Sequence, residues 1–318
     1  MKGKTYLIRA LWSSLFFILL GGSLIACETV TSATHEETTT EEHNTPATLI
    51  SLQEMASAIA SDVDASPQDL QNALSDHQPR WGQPGILWYV AATLQERLTP
   101  EQKERLLRRA HRLAQKAQRE RRAQLRKFFS RPAHRLPVWR ILTDDQRPAF
   151  RELWQRYRQA FRTLAEQLRT EAISREEFLR QALALREAFR EELDNLLTDE
   201  QKQRLEERRD ARQERREERM DAIRDAMIEA LGLTPEQVEA LESLHETQKE
   251  TRRELFEQFK NGDLTLEQLK EALQALREQR QQTLEEILTP EQLETFKIHR
   301  ALVIRFQYFR KHHRRHHG

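Results

Sequence analysis

The feature that most constrains this chain is a short string that keeps returning. Leu-Thr-x-x-Gln stands at Leu98–Gln102, Leu142–Gln146, Leu197–Gln201, Leu233–Gln237 and Leu288–Gln292, with a weaker copy at Leu264–Gln268. Each copy reads as the start of a helix. A threonine hydroxyl at the cap accepts from the free N–H groups of the first turn, and a glutamine three residues on reaches back to the cap's own N–H. The pairs so predicted are Thr99/Gln102, Thr143/Gln146, Thr198/Gln201, Thr234/Gln237 and Thr289/Gln292. Proline suits the first helical position, and acids suit the positive end of the helix dipole. The leading leucine can staple onto the fourth helical residue. That partner is apolar after Leu233 (Val238), Leu264 (Leu269) and Leu288 (Leu293), but polar after Leu98, Leu142 and Leu197 (Lys103, Arg147 and Lys202).

Spacing turns these starts into modules. Leu142 to Leu197 and Leu233 to Leu288 are both steps of 55 residues (197 − 142 and 288 − 233). A slide of 91 residues aligns 142–201 with 233–292 without a gap, with 19 identities in 60 positions. Biased composition inflates such counts, so the shared apolar register is the better argument: Leu153/Leu244, Leu164/Leu255, Phe178/Leu269 and Leu193/Leu284 are core positions of equivalent amphipathic helices. Each module is read as a helix, a turn, a helix and the start of a third. Asn261-Gly262-Asp263 is the turn of the second. A long charged helix follows Gln201 and ends at Gly232, and Arg131–Pro137 is expected to be an irregular loop. Leu, Ala, Glu, Gln and Arg dominate, and no stretch alternates with period two, so the body is expected to be all-α, with long helices in tandem helical hairpins.

The amino terminus carries an address. Lys2, Lys4 and Arg9 precede an apolar run from Ala10 to Leu20, then Gly21, Gly22 and Ser23, then Leu24-Ile25-Ala26-Cys27. That order is a secretion signal, and its end resembles the lipobox of bacterial lipoproteins, with Cys27 as the site of lipid attachment. The other reading is an uncleaved anchor, since 10–26 is at the short end of what spans a bilayer. Cys27 is the only cysteine, which excludes an internal disulfide. Removing 1–26 removes three bases, leaving 52 − 3 = 49 Lys plus Arg against 51 Asp plus Glu. The sum conceals an asymmetry: Cys27 to Pro79 holds ten acids and no Lys or Arg, so the chain from Arg80 has 49 bases and 41 acids. Residues 27 to about 47 are too poor in apolar side chains to offset ordering entropy and are expected to form a disordered acidic tether. Short docking helices are expected near Leu49–Ala60 and after Ser66. The organisation read from sequence is therefore signal 1–26, acidic tether with short helices 27–80, basic helical region 81–141, first module 142–232, and second module with a basic, histidine-rich tail 233–318.

Repeated Leu-Thr-x-x-Gln helix starts, two per hairpin, behind an export signal resemble the Spy/CpxP family of bacterial periplasmic proteins. The likeness covers roughly 98 to 300, most securely 142 to 296. The resemblance implies small all-helical, cradle-shaped homodimers, an ATP-independent chaperone or envelope-stress role, and metal-binding relatives. This chain departs in its length, its lipobox and its duplicated modules, so the expected assembly is a dimer or an intrachain pseudo-dimer of the two modules. The expected partners are unfolded or envelope protein clients and the membrane through Cys27, in the cell envelope facing the periplasm, with Glu28 favouring the outer membrane over the inner. Phe128, Phe129, Trp139, Phe150, Trp154, Tyr157 and Phe161, interleaved with arginine, are candidates for client contact, and core packing is the competing account of the same aromatics.

Two further segments carry chemistry. Gln102–Arg131 holds twelve Lys/Arg against Glu104 and Glu120, a pattern that an export signal directs towards anionic lipid or an acidic partner rather than nucleic acid. The carboxyl end has an apolar face with Phe296, Ile298, Leu302, Ile304 and Phe306, then His312, His313, His316 and His317. In a helix, His312/His316 and His313/His317 are i,i+4 pairs that can share Zn, Cu or Ni, opposed by Arg310, Lys311, Arg314 and Arg315; a basic membrane- or partner-binding tail is the alternative. No glycine-rich phosphate loop, paired cysteine ligands or nucleophile motif is present, so no enzyme and no obligatory cofactor are expected. A metal-binding stress protein and a non-catalytic envelope adaptor are the alternatives to the chaperone.

Overall fold

The computed structural model describes residues 51–128 and 136–313. Among them are ten α-helices and no strand, the all-α class expected. In chain order they are α1 (Leu52–Val63), α2 (Pro67–Leu74), α3 (Ile86–Arg97), α4 (Pro100–Phe128), α5 (Gln146–Arg169), α6 (Arg175–Leu196), α7 (Asp199–Leu231), α8 (Pro235–Asn261), α9 (Leu266–Ile287) and α10 (Pro290–His313). Short 3-10 turns occupy Ser75–Arg80 and Pro137–Ile141. Cys27, the tether, most of the irregular loop, His316 and His317 lie outside the described residues.

Helices α5 and α6 form one hairpin, and α8 and α9 the other. The two turns are built alike. Gly262 follows α8 with φ of 90° in the left-handed region. The residue 91 positions earlier, Glu171, takes the same region with φ of 58°. A side chain there is disfavoured, because Cβ crowds the following carbonyl. The first hairpin base buries Phe150, Leu153, Trp154, Tyr157, Phe189 and Leu193 in an aromatic core. The second hairpin lacks that filling: the residues aligned with Trp154, Tyr157 and Phe189 are His245, Gln248 and Arg280. Gln248 is buried and donates to the carbonyl of Leu276 at 3.3 Å.

The hairpins meet at their tips. Phe178 and Leu179 of the first pack with Phe259, Leu266, Leu269 and Leu273 of the second. Glu176 accepts from the Leu266 N–H at 2.9 Å, placing a carboxylate from one hairpin at the positive start of α9 in the other. Lys260 and Glu187 add an ion pair at 2.7 Å.

Helix α7 connects the two bases. At 33 residues it is about 50 Å long, against about 36 Å for the 24-residue α5 and about 40 Å for the 27-residue α8. Hairpin, hairpin and connecting helix therefore close a three-sided frame. The middle of α7 faces solvent: every residue from Arg212 to Arg219, two full turns, is exposed. A helix polar all round is what such a solvent-crossing strut requires, and i,i+4 pairs such as Glu200 with Arg204 (2.8 Å) support it.

The remaining helices gather at the base of the second hairpin. Met55, Ile59 and Val63 of α1, Leu70 and Leu74 of α2, Val90 and Leu94 of α3, and Leu106 of α4 share one core with Ile298, Ala301 and Leu302 of α10. The cores thus cross the sequence boundaries at 80/81 and 232/233. The apolar face of α10, an expected membrane- or partner-binding surface, is spent inside the molecule on α1, α3 and α4. Gly85 opens α3 against α7, where an added Cβ would meet the Ala226 Cβ at 2.4 Å.

Candidate functional site

The repeated motif builds the most ordered polar constellation in the described residues. In all five copies the cap N–H donates to the glutamine Oε1, at 3.0 Å for Thr99/Gln102, Thr143/Gln146, Thr198/Gln201, Thr234/Gln237 and Thr289/Gln292. The return bond, from the glutamine N–H to the threonine Oγ1, is 3.3 Å in each. The sixth copy, Thr265/Gln268, forms the same box inside the second hairpin.

Four of these glutamines do more than cap. Copies 55 residues apart face each other across a hairpin base, and their amides pair. Gln146 Nε2 donates to Gln201 Oε1 at 2.9 Å, and Gln201 Nε2 donates back to Gln146 Oε1 at 2.7 Å. The second hydrogen of each Nε2 goes to a carbonyl beside the partner motif, Leu196 at 2.8 Å and Ile141 at 2.7 Å. The second hairpin repeats the arrangement. Gln237 Nε2 donates to Gln292 Oε1 at 2.9 Å and to the Ile287 carbonyl at 2.8 Å. Gln292 Nε2 donates to Gln237 Oε1 at 3.3 Å and to the Leu231 carbonyl at 3.0 Å. Each amide thereby uses two acceptor and two donor positions, its full capacity. Only glutamine fits this: glutamate cannot donate, and asparagine is one methylene short. The sequence shows the caps but not the pairing, for which its one signal is the equal 55-residue step.

The polar residues at the staple positions have partners of their own. Lys103 pairs with Glu294 at 2.7 Å, and Lys202 with Asp194 at 3.5 Å. Arg147 pairs with Asp144 and sits over the Trp139 ring, 5.5 Å from its centroid. Ion pairs thus anchor these helix starts where the others use a leucine or valine.

Three of the seven client-contact candidates are core: Phe150, Trp154 and Tyr157 are buried in the first hairpin, Trp139 and Phe161 are half-buried, and the side chains of Phe128 and Phe129 lie outside what is described. Burial pushes the Tyr157 phenol up. Arg186 is pulled down by burial, partly offset by Tyr157. Among residues whose side chains are described, no Leu, Ile, Val, Met, Phe, Trp or Tyr is exposed. A half-covered apolar seam runs along the hairpin tips, with Phe161, Leu164, Leu168, Ile173, Leu183, Leu255, Phe256 and Leu264. Arg162, Arg169 and Arg253 are exposed on the same helical segments.

Two titratable groups lie inside the bundle that holds α10. His299 stacks on Trp88 with ring centroids 3.5 Å apart and planes 4° from parallel, and burial lowers its pKa to about 3. Asp62 has a side chain only 4% exposed and lies 2.7 Å from Arg305 and 3.4 Å from Arg109. Burial raises its pKa, opposed by Arg305 and then Arg109.

Among the described residues no three His, Cys, Asp or Glu side chains converge as a metal site, and no helix is long and apolar enough to cross a membrane. His312 and His313 fall in the last turn of α10, but the side chains of the tail histidines, like Cys27, lie outside what is described. No protein-family model, curated protein or solved structure matches the chain.

Proposed function

We propose that this chain is a lipid-anchored envelope protein that holds unfolded polypeptide without nucleotide, as its resemblance to Spy/CpxP implies. The observation that supports this reading best is the seam at the hairpin tips. Two-helix hairpins cover their apolar side chains from one side only, and here eight remain half-covered on helical segments that also carry exposed arginines. Such a surface attracts an unfolded chain by charge and gives it modest apolar contact, so capture is salt-sensitive and release needs no energy source. The tandem hairpins, joined tip to tip within one chain, are read as a pseudo-dimer.

The test is dilution of a chemically unfolded client into buffer with residues 28–318, ATP absent and metal chelated. Suppression of aggregation near stoichiometric ratio, weakening as salt rises, is expected. No suppression at any ratio defeats the reading. The second reading is a structural adaptor, favoured by one observation: no large apolar side chain is exposed among those described. An adaptor leaves client aggregation unchanged.

A further inference from the structure

Helix α7 sorts its charges. From Arg204 to Asp221 it carries seven arginines and seven acids. At about 100° per residue, the arginines fall within one arc of about 140° and the acids within a separate arc of about 120°. The centre of the basic side is a stripe. Arg204, Arg208, Arg212, Arg215 and Arg219 lie within about 80° of one another and run along about 22 Å of helix, (219 − 204) rises of about 1.5 Å. All five are exposed. Arg204 pairs with Glu200 at 2.8 Å. Arg208, Arg212, Arg215 and Arg219 make no ion pair or hydrogen bond among the described residues.

Exposure to solvent does not by itself require this sorting. A helix in water is supported by opposite charges one turn apart. Glu200 with Arg204 does this at the start of the stripe, and Gln203 with Glu207 (2.9 Å) and Gln213 with Glu217 (2.8 Å) support the acidic side. Within each face, residues four apart carry like charge. Arg204, Arg208 and Arg212 follow one another in this way, then Arg215 and Arg219, and on the other side Asp210, Glu214 and Glu218. Like charges at that spacing repel. A local rule broken along about four turns, with no gain inside the fold, marks a surface that serves something outside it.

The spacing indicates what that is. Steps of four residues set the guanidinium groups about 6 Å apart along the axis, and the one step of three sets them about 4.5 Å apart. An extended polypeptide presents every second side chain to one side, about 6.6 Å apart. Alternate carboxylates on such a strand match the stripe, and each can take a bidentate bond from an arginine. The stripe is narrow and straight, the footprint of a single strand.

We propose that the arginine stripe of α7 docks an acidic segment of another protein, held extended with carboxylates at alternate positions. Charge complementarity names the partner: five cations stand in line with no acid among them. The inference rests neither on lipid anchoring nor on client holding, since the seam at the hairpin tips is a different surface.

The test is fluorescence anisotropy of a labelled peptide of alternating Glu and Thr, titrated with residues 28–318, against its Lys and Thr counterpart. Binding of the acidic peptide alone, weakening as salt rises, is expected. Replacing Arg208, Arg212, Arg215 and Arg219 with Gln should weaken it at least about tenfold, since four charge-assisted donors are lost. Replacing Arg105, Arg108, Arg112 and Lys116 of α4 with Gln removes the same charge elsewhere and should change it less than about twofold. Circular dichroism checks that both variants are folded, and the stripe variant should be no less stable, because it relieves like-charge neighbours. No binding by the intact chain, unchanged binding by the folded stripe variant, or equal losses in the two variants overturns the proposal. Three other results also overturn it, each by naming a different occupant. Displacement of the peptide by vesicles about one-third phosphatidylglycerol would make it lipid. Binding that appears only after residues 28–47 are deleted would make it the chain's own acids. A dimer in light scattering that the peptide dissociates would make it a second copy. The peptide has no apolar side chain for the seam, so failure here leaves the aggregation assay untouched, and the reverse holds.

Discussion

Replacing Gln237 with Ala separates what the motif does as a cap from what it does as a lock. The variant removes the Oε1 that receives the Thr234 N–H and the Gln292 amide, and the Nε2 that serves the Ile287 carbonyl and Gln292. Each part-buried bond contributes about 1 kcal/mol net, and the groups left behind cannot all reach water. The expected loss is about 3 kcal/mol. Gln102 supplies the control within the same chain. It has the same box with Thr99 at the same distances, but no facing glutamine pairs with it among the described residues. Gln102→Ala should therefore cost about 0.5–1 kcal/mol, the ordinary worth of a cap. Thermal unfolding by circular dichroism should separate them, at about 6–10 °C against about 2 °C. In the cycle with Gln292→Ala the double variant should fall short of additivity by about 1–2 kcal/mol, since either change alone breaks the pair. Equal losses for Gln102→Ala and Gln237→Ala, or full additivity in the cycle, would refute the lock.

Four smaller expectations follow from single observations. Glu171→Gly should stabilise by about 0.5–1 kcal/mol, because it relieves the left-handed backbone that the second hairpin gives to Gly262; a loss in thermal unfolding would contradict this. His299 is held neutral by burial, its pKa lowered to about 3. The unfolded chain takes up that proton below about pH 6.5 while the native state does not, so stability from this group is full above 6.5 and falls towards pH 3. His299→Phe should flatten that part of the stability curve, and an unchanged slope would exclude the residue as its source. Phe259→Ala, at a fully buried tip position, should cost about 3–5 kcal/mol and raise hydrogen exchange in α6 as well as α8, whereas exchange confined to α8 would separate the tips. Residues 212–219 of α7 should exchange amide hydrogens faster than the buried stretch near Ala226, and equal protection would mean something covers the strut.

Much of the fold was legible because its signals are local. A cap depends on residues three apart, so each Leu-Thr-x-x-Gln string identifies its helix start without reference to the rest of the chain. The hairpins followed from the equal 55-residue steps and the shared leucine register. What the sequence withheld is non-local. Nothing in Gln146 announces Gln201, because a cap and a lock use the same residue and differ only in what faces it. The apolar face of α10 read equally well as a membrane or partner surface, since amphipathicity reports that a face is covered and not by what. Helices α1, α3 and α4 cover it, and those lie about 200 residues earlier. The aromatic run from Trp139 to Phe161 was ambiguous for the same reason, and burial assigns most of it to the first core.

The same logic accounts for the one helix with almost no core. A chain that closes a frame from two hairpins must span from one base to the other without support. No apolar stripe is admissible along that span, because an unpartnered stripe in water invites aggregation. Stability there must come from helix-forming residues and i,i+4 charge pairs, each worth only a few tenths of a kcal/mol. The sequence from Glu206 to Arg219 meets this requirement with Glu, Arg or Gln at twelve of fourteen positions. Its ends do not need it: Gln201 enters the first lock, while Ala226 and Leu231 enter the core of the second base. The locks therefore sit where the strut changes from solvent to protein. Loosening either one should free a hairpin base from the frame and leave the tip junction and the α10 bundle in place.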